Sequence, residues 1–374
     1  MRLGTMGRED LGSELLTLTR RLTRQDTARS SEQGLKTVGT VLSAVRGQRK
    51  AWRVRRLPRA TVYLPAPHRD RPLVILGTHM DTVPPMDADR RPSGTISGGK
   101  LYGRGALDMK AGLALSLSLL RHPPLQPWCD VGLAITTDEE GESAGAWSLT
   151  EVPWFRPDLI LVPEPTWEHS AVSASGRRGW EVVFRSGGGH AEGALDRKGN
   201  PAHALVEFLS ALPLDLSVTD MRSTGGGVVS LPTEARARFD QVFMDTADRA
   251  TADSSLRRTL RAVQKHFPDC PASIGLEPRG TPWPDPYQVP LTDLVRRWLL
   301  ATASDGNPPP TLHEHAVGDF NAYATIAPTI VFGPGGGGVH GTGEYVDLAS
   351  LKRCFAVYRR FFETPHLPAR TRAR

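Results

Sequence analysis

Apolar residues recur along this chain at two spacings. Leu11, Leu15, Leu16, Leu18 and Leu22 keep a helical interval, and Leu35, Val38, Val41, Leu42 and Val45 repeat it over Gln33 to Val45, so two helices are predicted to open the fold. Shorter runs read as strands. Ala60 to Leu64 alternates, while Val74 to Leu76, Val131 to Thr136 and Leu159 to Val162 are continuous apolar runs of the kind buried on both faces. The strand at Val74 is predicted to break at Gly77. Ala111 to Leu120 is an apolar helix set among these strands, and strands alternating with helices predict an α/β fold.

After Gly179 the texture changes. Trp180 to Arg185 alternates as a half-exposed strand, Asn200 to Ala211 is an amphipathic helix, Val228 to Leu231 and Ala235 to Phe243 read as strands, and Ala252 to Phe267 is helical before a proline-rich exit at Pro278 to Pro290. From Leu291 the first texture resumes, with a helix to Ala303, a strand from Thr329 to Phe332, a glycine-rich loop from Gly333 to Gly338 and a closing helix from Leu348 to Phe362. Two domains are therefore expected: a discontinuous one over residues 1–178 and 288–374, and an α+β insert over 179–287. A length of 374 residues agrees, being too long for one ordinary core.

Composition narrows the class. Hydrophobic residues at 39% and charged residues at 23% are ordinary for a globular protein, and no apolar run approaches the roughly 20 residues of a membrane span. The net charge of +6 is spread along the chain, with one concentration at Arg370 to Arg374 on a tail expected to be disordered. No basic face with interleaved aromatics accompanies it, so neither nucleic acid nor membrane is an expected partner. Cys129, Cys270 and Cys354 lack the paired spacing of a zinc ribbon or redox motif and are expected to be reduced, buried thiols. Met1 to Leu11 carries no secretory pattern, and a cytoplasmic location is the expectation.

The candidate chemistry lies where strands end. His79 and Asp81 follow one strand, Asp138, Glu139 and Glu140 a second, and Glu164 a third, and in α/β sheets ligands gather beyond the carboxyl ends of parallel strands. A lone His-x-Asp is more often a hydrogen-bonded loop histidine, and three adjacent acids are usually a solvated turn; convergence is what changes the reading. The glycines of Ile96 to Lys110 fit neither the P-loop nor the dinucleotide spacing, and that loop instead delivers Asp108. His340 follows the later glycine-rich loop. Two imidazoles and three carboxylates, one of them bridging, suit a pair of zinc ions about 3.5–4 Å apart. Asp81, two residues beyond His79, is a natural anchor for its second ring nitrogen.

Five stretches carry a resemblance: Gly77-Thr-His-Met-Asp-Thr-Val-Pro84, Leu101-Tyr-Gly-Arg-Gly-Ala-Leu-Asp-Met-Lys110, Thr137-Asp-Glu-Glu-Gly141, Pro163-Glu-Pro-Thr166, and Gly333-Pro-Gly335 through His340 to Glu344-Tyr-Val346. In this order they resemble the di-zinc metallopeptidase and deacylase family that includes acetylornithine deacetylase, succinyl-diaminopimelate desuccinylase, aminoacylase and glutamate carboxypeptidase. The resemblance implies a zinc-peptidase-like three-layer αβα catalytic domain with an inserted α+β lid that pairs with its copy in a homodimer. It implies that His79 and Glu164 hold one zinc, that Glu140 and His340 hold the other, that Asp108 bridges them, and that Co2+ or Mn2+ can substitute. Glu139 would be the general base, Asp81 would orient His79, and the Asp108–Met109 peptide would be cis. His190 would be the lid histidine that meets the reacting carbonyl.

The chain also departs from the family pattern. Gly189-His-Ala-Glu192 surrounds His190 unusually, Asp240-Gln-Val242 replaces Asp-x-Arg, and Gly318-Asp-Phe-Asn321 replaces Thr-Asp-Ala-Arg. The last is closer to lysine and ornithine deacetylases and makes Asn321 a candidate substrate contact. Arg279 is a second candidate, for a substrate carboxylate, although an arginine beside proline and glycine is commonly a plain surface residue. The expected reaction is hydrolysis of the amide of an N-acylated amino acid, with N-acetyl-ornithine or N-acetyl-lysine preferred. A carboxypeptidase or dipeptidase acting on short peptides is the alternative, and a catalytically silent binding protein the remote one.

Overall fold

The computed structural model describes residues 8–28, 52–66, 70–86, 91–122, 128–193, 198–213, 216–303 and 311–364; the helix expected over Gln33 to Val45 and the tail Arg370 to Arg374 lie outside them. The chain divides into two compact units, one of Met1–Ser173, Gln288–Glu314 and Gly318–Arg374, the other of Ala174–Tyr287 and His315–Val317. In chain order the first unit opens with helix α1 (Arg8–Thr23), strands β1 (Arg53–Leu57), β2 (Ala60–Leu64), β3 (Leu73–His79), β4 (Thr95–Ser97) and β5 (Lys100–Tyr102), then α2 (Ala111–Arg121), β6 (Asp130–Thr136), α3 (Ala144–Thr150), β7 (Leu159–Val162) and β8 (Ser170–Ala174). Next come β9 (Gly176–Arg185), α4 (Pro201–Ser210), β10 (Leu216–Thr224), β11 (Glu234–Phe243), α5 (Thr246–His266) and β12 (Ala272–Leu276). The chain returns through β13 (Tyr287–Gln288), α6 (Asp293–Thr302), β14 (Thr311–Glu314), α7 (Asp319–Ala324), β15 (Thr329–Val331), β16 (Gly336–Gly337), β17 (Tyr345–Asp347) and α8 (Leu348–Glu363).

The main sheet runs β1-β2-β6-β3-β7-β15-β8-β13, with β14 on β8. Its centre, β6, β3, β7 and β15, is parallel, whereas β2 joins β6 antiparallel. Those central strands are almost wholly buried and mostly apolar because both faces are covered. Val74, Leu76, Leu133, Ile135, Leu159 and Leu161 share one core with residues of α1, α2, α6 and α8. The alternate residues Ile75 and Ile160 face the other way, and α7 contacts β3 and β15 there. This is an α/β fold with helices on both sides of a mixed sheet. All four central strands deliver their carboxyl ends to one edge.

Strand β3 does not break at Gly77 but continues to His79, pairing with β6 along its length. Glycine is there for space: a Cβ at position 77 would lie 2.8 Å from Cε2 of the buried Tyr323 on α7. A smaller sheet, β16-β17-β5-β4, pairs Tyr345 with Tyr102 and Val346 with Leu101, fastening the loop after β5 to the loop before β17.

The second unit is an antiparallel sheet, β10-β11-β9-β12, with α4 and α5 on one face. Trp180, Val182 and Phe184 of β9 and Ala235, Ala237 and Phe239 of β11 alternate onto the helices, with Phe208 of α4 stacked between Phe184 and Phe239 at 6.1 and 6.0 Å. The alternate positions hold charged pairs such as Arg238 with Glu181. Asn200 and Asp245 cap α4 and α5 by accepting backbone N–H bonds. The strand expected at Val228 to Leu231 is instead a turn between isolated bridges, with Val228 fully exposed, because Gly225, Gly226 and Gly227 offer no side chains to pack. Among the described residues no helix is long and apolar enough to cross a membrane, and the three cysteines are buried and unpaired.

Candidate metal centre

Each acidic or imidazole group arrives by a different local device. His79 is the last residue of β3, and its Nδ1 lies 3.0 Å from the carbonyl oxygen of Asp81 and 3.6 Å from that residue's Oδ1. The Asp81 carboxylate reaches further, accepting the backbone N–H groups of Glu139 and Glu140 at 3.4 and 3.2 Å. Beyond β6 the chain turns sharply at Asp138, which is left-handed at φ 73°, and its carbonyl takes the N–H groups of Gly141 and Ser143. That turn presents Glu139 and Glu140. Glu164 follows β7, where the backbone is approached from two sides: a Cβ at Gly112 would fall 2.2 Å from the Pro163 oxygen, and one at Gly333 2.2 Å from the Glu164 oxygen. Asp108 stands before a cis peptide to Met109, and His340 is held in the left-handed region at φ 55°.

These side chains form two triads. His79 Nε2 lies 3.1 Å from Asp108 Oδ1 and 2.9 Å from Glu164 Oε1. His340 Nε2 lies 3.4 Å from Asp108 Oδ2 and 2.9 Å from Glu140 Oε2. In each triad the three ligand atoms are all within 4.8 Å of one another, and the two oxygens of Asp108 serve different triads. His79 is buried, whereas His340 is 53% exposed at its side chain, so solvent reaches the centre from the second triad.

Burial opposes charge on His79, yet the Glu164 and Glu139 carboxylates hold its pKa well above the ordinary value. Hydrogen bonds to Asp108 and Glu140 push His340 up to about 10. Burial and the neighbouring Asp108 push Glu164 up to about 8, and burial raises Glu139 well above its usual range. Asp108, despite its burial, is kept well below the carboxylate range by His340 and His79. The crowded carboxylates thus favour positive charge at this centre. Two imidazole nitrogens with carboxylate oxygens, one carboxylate shared, are a donor set that fits two divalent cations.

Glu139 lies beside the first triad, its Oε2 3.8 Å from His79 Nε2. Gly318 leaves room for it, since a Cβ there would lie 2.4 Å from Glu139 Oε1. Asn321 is buried, and its Oδ1 accepts the Gly318 N–H at 3.0 Å, so its amide shapes the turn beside Glu139. Arg279 belongs to the second unit, donates to Thr281 Oγ1 at 3.1 Å and stacks on Trp283 at 4.7 Å. His190, also in the second unit, is 57% exposed and bridges Ser230.

Sequence reasoning missed several supports. Asp319 is buried, accepts from the Thr136 hydroxyl, and is pushed up to about 6 by burial. Lys110 is buried and donates from Nζ to the carbonyl of Gln25 at 2.8 Å. The Glu344 carboxylate gathers four donors around the Asp108 loop. Glu344 stands four residues after His340, just before Tyr345 and Val346, and that spacing was the available signal.

Comparison with known proteins agrees with this geometry. The sequence profile described as Peptidase family M20/M25/M40 matches residues 75–364. Succinyl-diaminopimelate desuccinylase of Methylorubrum populi is 30% identical over 328 residues, covering 78% of this chain and 82% of the relative. Among solved structures, a tripeptidase from Staphylococcus aureus superposes with a TM-score of 0.76 at 16% identity, covering 94% of this chain and 98% of the other. A dinuclear metal-binding peptidase of the M20 family from Bacillus subtilis gives a TM-score of 0.71 at 15% identity, with the same coverage of 94% and 98%.

Proposed function

The chain belongs to the peptidase family M20/M25/M40, a family of metal-dependent hydrolases, and we propose that this member cleaves the amide bond of an N-acylated amino acid with two zinc ions. The observation that carries this reading is the pair of triads sharing Asp108, with Glu139 beside them. His79, Asp108 and Glu164 would hold one ion, and Asp108, Glu140 and His340 the other. When bound, the two cations would supply Lewis acidity to the scissile carbonyl and to the attacking water.

The residues supply the rest. Glu139, its pKa raised by burial, takes the proton of the water and returns it to the leaving nitrogen, so the amine departs neutral. Asp81 holds the Glu139–Glu140 turn against the His79 end of β3 and keeps base and ligands in register. An N-succinyl or N-acetyl amino acid is favoured as substrate because the relative at 30% identity is named a desuccinylase. His190 from a second copy of the chain would stabilise the developing oxyanion. The supporting feature for a dimer is β10, a nine-residue edge strand of the second unit on which Val218 and Met221 are exposed.

Zinc-loaded protein is expected to release succinate or acetate from N-succinyl-diaminopimelate, N-acetyl-ornithine or N-acetyl-lysine. Turnover of dipeptides with none of these acyl compounds would replace this reading with an exopeptidase.

A further inference from the structure

Outside the two triads, Arg104 and Glu344 of the first unit form a charged pair that is buried on both sides. Glu344 Oε1 accepts the backbone N–H groups of Leu107 and Asp108 at 3.0 and 3.1 Å; Oε2 accepts the N–H of Gly105 and an Arg104 guanidinium N–H at 2.9 and 2.8 Å. The other end of the Arg104 fork donates to the carbonyl oxygen of Gly341, the residue after His340, at 2.8 Å. The N–H of Gly103 closes the ring by donating to the Glu344 carbonyl at 2.9 Å. One side chain therefore holds the amide of Asp108, and the other holds the peptide next to His340.

We propose that Glu344 and Arg104 are positioning residues that clamp the Asp108 loop to the His340 loop and so set the geometry of the second cation site, made by Asp108, Glu140 and His340. The first site does not depend on the clamp to the same degree, because His79 and Glu164 follow directly from paired strands of the main sheet. In the second, Glu140 lies on the turn after β6, while His340 sits on a loop outside the main sheet with its own backbone left-handed at φ 55°. Fixing a ligand's peptide from behind removes conformational freedom that cation binding would otherwise have to restrict, and partners of this kind typically matter by about 10–100-fold in metal affinity.

The clamp rests on the assignment of two cation sites proposed above, and the test separates the two claims. Metal-free protein is titrated with Zn2+ alone against a chromophoric chelator, for the unaltered chain, Glu344→Gln and Arg104→Lys, with thermal melting of each metal-free form as the control for folding. Glu344→Gln places an amide NH2 against backbone and guanidinium donors; Arg104→Lys keeps the charge near Glu344 but loses the fork to Gly341. The expected result is two ions in the unaltered chain, and in the variants the second weakened about 10–100-fold and the first, which shares Asp108, weakened distinctly less. Should Glu344→Gln fail to fold, Arg104→Lys alone decides. Two ions bound with unaltered affinity, or an equal weakening of both, would overturn the clamp. Fewer than two ions in the unaltered chain would remove the two-site assignment and the clamp with it.

Discussion

Glu139 is enclosed by groups that resist its ionisation, and its role can be separated from that of its neighbours by single atoms. Glu139→Gln keeps the size of the side chain and removes the proton acceptor, so it is expected to retain two cations while losing about 10²–10⁴-fold in turnover. Metal analysis beside steady-state rates checks both halves. Gly318→Ala probes the same carboxylate from outside. Its Cβ would meet Glu139 Oε1 at 2.4 Å and Phe320 Cε1 at 2.9 Å, both parts of side chains that can yield, so the fold should survive with the base displaced. The expected outcome is a kcat reduced on the order of 10²-fold with KM little changed. Titration of the metal-free protein carries a sign of its own. Glu164 and His340 have folded pKa values, about 8 and about 10, above their ordinary 4.5 and 6.5, so each stabilises the fold at low pH and loses that contribution as pH rises toward the folded value. Lys110, lowered to about 8 by burial, works the other way, but it starts to recover stability only near pH 8. Between pH 6.5 and 8 the metal-free protein should therefore melt at falling temperature. Zinc-loaded protein should not follow, because bound cations have already displaced those protons. Parallel melts with and without zinc decide it.

At the scale of elements, β3 shows what composition can and cannot reveal. Its buried character was legible in Val74, Ile75 and Leu76, but its continuation through Gly77 was not, because the reason is the ring of Tyr323 on a helix far along the chain. Gly77→Ala is expected to cost about 1–3 kcal/mol by overpacking against that ring, read as a lowered denaturation midpoint with an unchanged slope. The apolar helices and central strands were readable because burial on one or both faces leaves a pattern. Strand β10 was not: most of Leu216 to Thr224 is exposed, so no alternation marks it, and it exists through its ladder with β11. Val228 to Leu231 misled in the opposite direction, apolar residues standing where three glycines make a turn. The same contrast holds at the centre. Strand ends and motif spacing brought out the imidazoles and carboxylates, whereas Glu344, Arg104 and Asp319 act through backbone amides, loop carbonyls and a threonine hydroxyl, partners that no local pattern specifies.

For the whole molecule, the unit that carries the two triads is split in sequence by the unit that carries His190. If His190 acts across a dimer, mixing inactive Glu139→Gln chains with inactive His190→Ala chains should restore part of the activity, since one centre in each mixed dimer keeps both groups. Heterodimers that form without recovery would confine His190 to its own chain or exclude it. The split also has a meaning in time. His79, Asp108 and Glu164 all precede the second unit in sequence, whereas His340 follows it. A chain emerging from the ribosome therefore has every side chain of one triad by position 164 but cannot begin the other until position 340 has been made. Vectorial synthesis therefore orders the two halves of the centre, the His79 side complete in sequence before the His340 side has begun.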